Sequence, residues 1–230
     1  MKELNFNISK DIINPIKKID IDWAGHATGI QTMLKQIEPN YKMTEQHKHV
    51  LKLFLLYFTG NMNFITYEMS NDKPGDLQKG IWLVGNTGSG KSTIFDVFRE
   101  YTCNIIRANS FIKYEADGLI EDVKVSGTSV LSQFYHNFTS ENKGAKPITL
   151  YIDDVWNRPD KVVNFGTTSN VMEQLMGIRY NVFQRYGVRT FISTNKGLSE
   201  LAEMDIDRRI LGRMSEQFNI IELESKDFRK

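Results

Sequence analysis

The stretch GNTGSGKST at residues 85–93 constrains this 230-residue chain more than any other. It sets Gly85, four free positions, then Gly90, Lys91 and Ser92, with Gly88 as an extra glycine. Glycines let the backbone turn so that successive N–H groups converge on one point. A helix opening at Lys91 aims the positive end of its dipole at the same point. The flanks fit: residues 81–84 read as a short buried strand, and residues 91–101 carry Ile94, Phe95, Val97 and Phe98 on one helical face. Such a loop is built for the phosphates of Mg²⁺-bound ATP. Gly85, Asn86, Thr87, Gly88, Ser89, Gly90 and Thr93 shape the cradle, Lys91 reaches the β- and γ-phosphates, and the Ser92 hydroxyl ligates Mg²⁺. At ordinary residue frequencies the pattern arises by accident in roughly one such chain per hundred.

Strands alternate with helices on both sides of this loop, which implies an α/β fold with a parallel sheet flanked by helices. Residues 104–108 read as a second strand, 148–152 as a third, 188–193 as a fourth and 218–223 as the last. Helices are expected at 169–186, 198–204 and 207–216, and residues 110–137 hold two weak helical segments split by Gly127. Upstream, residues 44–58 form a helix with Thr44 as its cap and Gly60 at its end, and another helix lies near 28–37. The turn-rich run NDKPGDLQKG at 71–80 is the best boundary. Residues 1–75 are thus read as a small, mostly helical N-terminal segment that binds a partner, and 76–230 as the ATPase core.

The run ITLYIDD at 148–154 is an apolar strand ending in two carboxylates. Ligands gather at the carboxyl ends of parallel strands, so Asp153 is expected beside the Mg²⁺ held by Ser92. Asp154 is expected to polarise the attacking water. VRTFISTN at 188–195 ends a further strand, with Thr194 or Asn195 as the residue that senses the γ-phosphate and orients water. A guanine-specific pocket wants Asn-Lys-x-Asp; here Asn195-Lys196-Gly197 is followed by Leu198, which argues against a GTPase. In DRRILGRM at 207–214, Arg209 and Arg213 lie four apart on one helical face, beside Arg208. They suit an arginine finger for a neighbouring subunit's ATP, with a solvated basic face as the rival.

Lys and Arg number 29 against 28 Asp and Glu, which rules out a uniformly basic coat for nucleic acid but leaves room for a local patch. Phe111, Lys113 and Tyr114 are candidates for a groove that stacks single-stranded DNA, with core packing as an equal alternative. One cysteine, Cys103, supplies neither a disulfide nor a metal cluster and suits a reducing cytoplasm. The longest apolar stretch, residues 50–58, is too short for a bilayer, and the first ten residues lack the apolar core of a signal peptide. The expected location is the cytoplasm.

With these residues in view, the chain resembles the AAA+ ATPases, and among them the bacterial replicative-helicase loaders of the DnaC type and the IstB-type transposition helpers. LYIDDVW looks like that family's Walker B strand. EQLMGIRYNVFQRYGVRTFISTN looks like its helix ending in Arg179 and Tyr180, followed by the sensor-1 strand ending in Asn195. LSELAEMDIDRRILGRMSE looks like the segment ending in the finger helix, with Arg213 as the finger and Arg209 as a second interface arginine. The resemblance covers about residues 78–223. Asp154 stands where many AAA+ proteins have Glu, one methylene longer. No C-terminal lid domain with its own arginine is expected, as in the loaders, and no zinc-ligand cluster is seen in the first eighty residues.

The resemblance implies ATP hydrolysis at a subunit interface in a homo-oligomer. It also implies a replicative helicase and single-stranded DNA as partners. A transposition helper would carry the same core, a small-molecule kinase would act as a monomer, and a structural switch would bind ATP without turnover.

Overall fold

The computed structural model describes residues 15–136, 147–164, 167–204 and 206–223. The chain opens with α1 (Trp23–Ile37), capped by the Asp22 carboxylate, which accepts from Gly25 N–H. Next comes α2 (Glu45–Phe58), whose cap is Thr44 as expected. A single-turn 3₁₀ segment, Met62–Thr66, leads through the turn-rich run to β1 (Gly80–Gly85) and α3 (Lys91–Glu100). Then follow β2 (Ile112–Glu115), α4 (Ala116–Ser126), α5 (Gln133–His136) and β3 (Leu150–Asp153). A hairpin of β4 (Lys161–Asn164) and β5 (Thr167–Asn170) precedes α6 (Val171–Tyr186) and β6 (Thr190–Thr194). The described part closes with α7 (Leu198–Glu203), α8 (Arg208–Gln217) and β7 (Phe218–Leu223).

Five strands form one parallel sheet in the order β2-β3-β6-β1-β7. The order matters for function. The strand after which the glycine-rich loop begins, β1, is separated from the acidic strand β3 by β6 alone. The carboxyl end of β6, where Asn195 follows, therefore sits between the loop and the acidic pair, at the edge where parallel sheets take their ligands.

Alternation along the strands sorts side chains to two apolar layers. Ile81, Leu83, Tyr151, Phe191, Ile221 and Leu223 face α1, α2 and α3. Trp82, Leu150, Ile152, Ile192 and Ile220 face α4, α6 and α8. Residues before position 75, such as Ile30, Leu34 and Phe54, lie in the first layer with β1. Helix α2 is buried along most of its length, from Val50 and Leu51 through Leu53–Phe58. That accounts for a nearly continuous apolar run rather than a one-sided stripe.

Three local expectations give way. Residues 104–108 are not a strand: Tyr101–Ile105 continues α3 as a π turn, and Arg107 and Asn109 take positive φ. Strand β2 instead falls inside the stretch read as weakly helical. Residues 167–170 pair antiparallel with β4, so α6 begins at Val171 rather than at 169. Its first amides are held from a distance: Val171 N–H donates to the Asp160 carbonyl, and Met172 N–H to the Asp160 carboxylate. Among the described residues no helix is long and apolar enough to cross a membrane. The expected absence of a lid concerns the chain beyond residue 223, outside the described residues; position 137, the end of the stretch read as weakly helical, lies outside them too.

Candidate functional site

Strand β1 delivers the chain to Gly85, and the loop bends twice through the left-handed region, at Gly88 (φ 76°) and Gly90 (φ 88°). Any Cβ at Gly90 would stand 2.6 Å from the Tyr41 ring, so glycine is required there on two counts. Lys91 Nζ donates to the carbonyls of Gly85 (2.8 Å) and Asn86 (3.0 Å) and to Asn195 Oδ1 (2.7 Å). Asn195 Nδ2 in turn donates to Thr87 Oγ1 at 2.9 Å. The loop, its lysine and the end of β6 thus form one bonded unit. Within the loop, Ser89 is fully buried.

The Ser92 hydroxyl donates to Asp153 Oδ1 at 2.9 Å, joining the two residues chosen as Mg²⁺ ligands. Asp153 is nearly buried, and burial by itself would raise its carboxyl. Hydrogen bonds from Ser193 and Tyr151, the Lys113 ammonium 3.1 Å away and the Ser92 bond together hold it below the usual carboxylate range. An ionised carboxylate beside a hydroxyl is the oxygen-donor set that a hard, water-retaining cation prefers. Lys113 also pairs with Asp96 and Glu115, each at 3.2 Å. Against its own burial, these carboxylates push the Lys113 ammonium up to about 12.

Asp154 is exposed and has φ 57°, and Trp156 follows at 58°. Left-handed backbone is disfavoured for most side chains but tolerated by Asp. Here it turns the chain so that Asp154 lines the cleft with Thr87, Gly88, Lys91, Ser92, Thr93 and Asn195. The Asp154 N–H is fixed by Ser193 Oγ at 3.0 Å. The cleft also contains Asn157, a residue that no sequence pattern singled out; its Oδ1 accepts from Asn195 N–H at 3.3 Å. A second cleft of about 340 Å³ adjoins the loop, lined by Glu38, Asn40, Tyr41, Lys42, Gly88, Gly90 and Thr93. Its far wall comes from the N-terminal segment, which no periodic pattern in the sequence linked to the loop.

Arg213 lies outside the described cleft. It sits on α8 with its guanidinium 5.1 Å from the Tyr180 ring centre, while the Tyr180 hydroxyl donates to Glu216. Arg209 is exposed and held by Asp207 at 2.7 Å. Arg179, by contrast, is a buried structural group: it donates to Thr190 Oγ1 and to the carbonyls of Phe134, Ile148 and Arg189. Phe111 packs in the aromatic core, Tyr114 against Phe134, and Lys113 is held by carboxylates. These three form no open stacking groove.

No family model matches the chain, and no curated protein matches it. Among solved structures, the DnaI crystal structure superposes with a TM-score of 0.54 at 16% identity, covering 86% of this chain and 93% of that one. The DnaC helicase loader superposes with a TM-score of 0.51 at 14% identity, covering 81% and 95%. At such identity the likeness speaks for the fold. The chain shares the fold of these two structures, an α/β fold with a parallel five-stranded sheet and a glycine-rich loop after β1.

Proposed function

We propose that this chain binds and hydrolyses Mg²⁺-ATP as an AAA+ ATPase and acts as a DNA-replication helicase loader. The observation that carries the ATPase reading is the Ser92–Asp153 hydrogen bond, because it puts both oxygen donors for Mg²⁺ at the mouth of a phosphate-binding loop. In this reading the loop amides and Lys91 bind the phosphates, and Ser92 and Asp153 would hold Mg²⁺, which neutralises phosphate charge when bound. Asp154 and Asn195 orient the water, and the nucleobase enters the cleft beside Tyr41. Arg213 sits away from its own cleft, which fits a finger presented to the next protomer in a homo-oligomer. The loader role rests on the fold shared with a DnaC helicase loader, and it implies a replicative helicase and single-stranded DNA as partners, in the cytoplasm.

The test is ATP turnover at increasing protein concentration, with and without single-stranded DNA. Turnover per chain that rises steeply with concentration and responds to DNA supports shared interface sites and the loader role. Flat turnover indifferent to DNA would overturn the loader role in favour of a monomeric P-loop enzyme such as a kinase. No nucleotide binding at all would overturn the ATPase reading.

A further inference from the structure

We infer that His47 is a positioning residue that holds the phosphate-binding loop in its binding form, an inference that rests on the nucleotide-binding reading above. His47 has no exposed surface and lies beneath the loop, at the start of α2. Its Nε2 is 2.9 Å from the Ser89 carbonyl, and its Nδ1 is 3.2 Å from the Thr44 amide nitrogen. The Thr44 amide can only donate, so Nδ1 presents its lone pair and Nε2 carries the proton that goes to Ser89. Burial lowers the pKa of this imidazole, which agrees with a neutral ring having one donor and one acceptor. The Thr44 hydroxyl completes the arrangement by accepting from the His47 amide. One ring therefore closes the capping box of α2 with one nitrogen and grips the phosphate-binding loop with the other.

The grip has a direction. Across a planar trans peptide, C=O and N–H point opposite ways. Pulling the Ser89 carbonyl towards His47 drives the Gly90 N–H away from His47, and Gly90 lines the cleft. Gly88 and Gly90 are the loop positions with least intrinsic preference, so a contact from outside the loop must select their conformation. Tyr41 adds a second restraint. Its ring packs edge-on against His47 at 5.1 Å and closes over Gly90. A loop fixed before the phosphates arrive loses less entropy on binding them.

Two variants separate the two nitrogens. His47→Asn keeps an acceptor for the Thr44 amide but is too short to reach Ser89. His47→Gln keeps a donor that reaches Ser89 but loses the acceptor at the cap. The measurements are titration with a fluorescent ATP analogue and thermal melting of the full chain. His47→Asn leaves the Ser89 carbonyl unpaired, so it should melt lower and lose about tenfold in affinity, as for one lost hydrogen bond that served the loop. His47→Gln should melt earlier yet bind within about threefold of the parent. Parent-like binding by His47→Asn, or affinities that follow melting temperature in both variants, would overturn the inference. Failure of the parent protein to bind would instead overturn the nucleotide-binding reading on which it rests.

Discussion

Lys91 Nζ lies 2.7 Å from Asn195 Oδ1, a bond that ties the phosphate-binding loop to the end of β6 across 104 residues of sequence. The same amide donates its other end to Thr87. Asn195 therefore occupies both the lysine and the loop, and arriving phosphates must compete with its oxygen for Lys91. Asn195→Ala is expected to take one acceptor from the lysine, which keeps the Gly85 and Asn86 carbonyls, and to remove a donor from the region where charge develops. Affinity for ATP should change by less than about threefold while turnover falls about 10²-fold, a loss within the range for one preorganised donor. Steady-state kinetics beside equilibrium titration checks the split, and an equal loss in both would assign Asn195 to ground-state binding.

At Asp154 the backbone narrows the choice of useful variants. With φ at 57°, Asn is accommodated as readily as Asp, whereas a longer side chain adds strain on the order of 1 kcal/mol. Asp154→Asn should keep the backbone conformation and lose about 10²-fold or more in turnover, since the carboxylate base is replaced by an amide. Asp154→Glu, a carboxylate one methylene longer, should melt about 2–4 °C lower for that strain. Unchanged turnover in Asp154→Asn would leave the water-activating role to another group.

The parts of this site legible from sequence are those where chemistry demands a residue type at fixed spacing. Gly85 to Thr93 had to be contiguous, because neighbouring amides converge on one ligand. Asp153 ends an apolar strand for the same kind of reason. Contacts made across the fold left no such mark. Nothing local in residues 44–58 links His47 to Ser89, 42 positions away, or Asn157 to Asn195. Strand β2 leaves a weak signal because its burial is partial, with Ile112 and Glu115 exposed, whereas Ile105 and Ile106 make a stronger apolar cluster that serves a π turn. The β4–β5 hairpin leaves no local mark because α6 takes its N-terminal hydrogen bonds from Asp160, eleven residues before the helix begins.

Arg179 gives a prediction about stability alone. The residue is 1% exposed, and its guanidinium makes four hydrogen bonds that stitch α6 to α5 and to the amino ends of β3 and β6. A lysine cannot present that fork. Arg179→Lys should cost about 3–5 kcal/mol, the range for breaking a satisfied buried charge, and depress melting by roughly 6–20 °C. Calorimetry is the check; a shift within a degree would mean that the buried network is easily replaced.

His47 also gives the fold a pH dependence of defined sign. Its pKa is lowered from 6.5 by burial, opposed in part by the Ser89 carbonyl, and the ring faces Tyr41 and Thr44. The neighbouring Glu45 and Lys48 on α2 pair with each other at its exposed end. Between the folded and unfolded values the unfolded chain binds the extra proton, so stability falls as pH drops below about 6.5 and levels off beneath the folded value. Melting followed from about pH 7.5 to about 5.5 should decline more steeply in the parent than in His47→Gln, which has no imidazole at this position. Equal slopes would place the acid sensitivity elsewhere.

The arginine on α8 tests whether the site is shared. Arg213 stacks on Tyr180 beside Glu216, and its contacts lie on the outer face of α6 and α8, apart from the residues lining its own cleft. A finger acting between protomers predicts that Arg213→Ala binds ATP normally and loses about 10³-fold or more in turnover. A second consequence separates this from misfolding. Lys91→Ala chains lack a working loop but retain Arg213, while Arg213→Ala chains retain the loop. Mixed, the two dead proteins should recover part of the parent turnover, because some interfaces pair an intact loop with an intact finger. Dilution should abolish the recovery as the assembly dissociates. Recovery would require that the finger comes from a neighbour. Its absence, together with near-normal turnover in Arg213→Ala alone, would return Arg213 to the role of a surface cation held by a tyrosine ring.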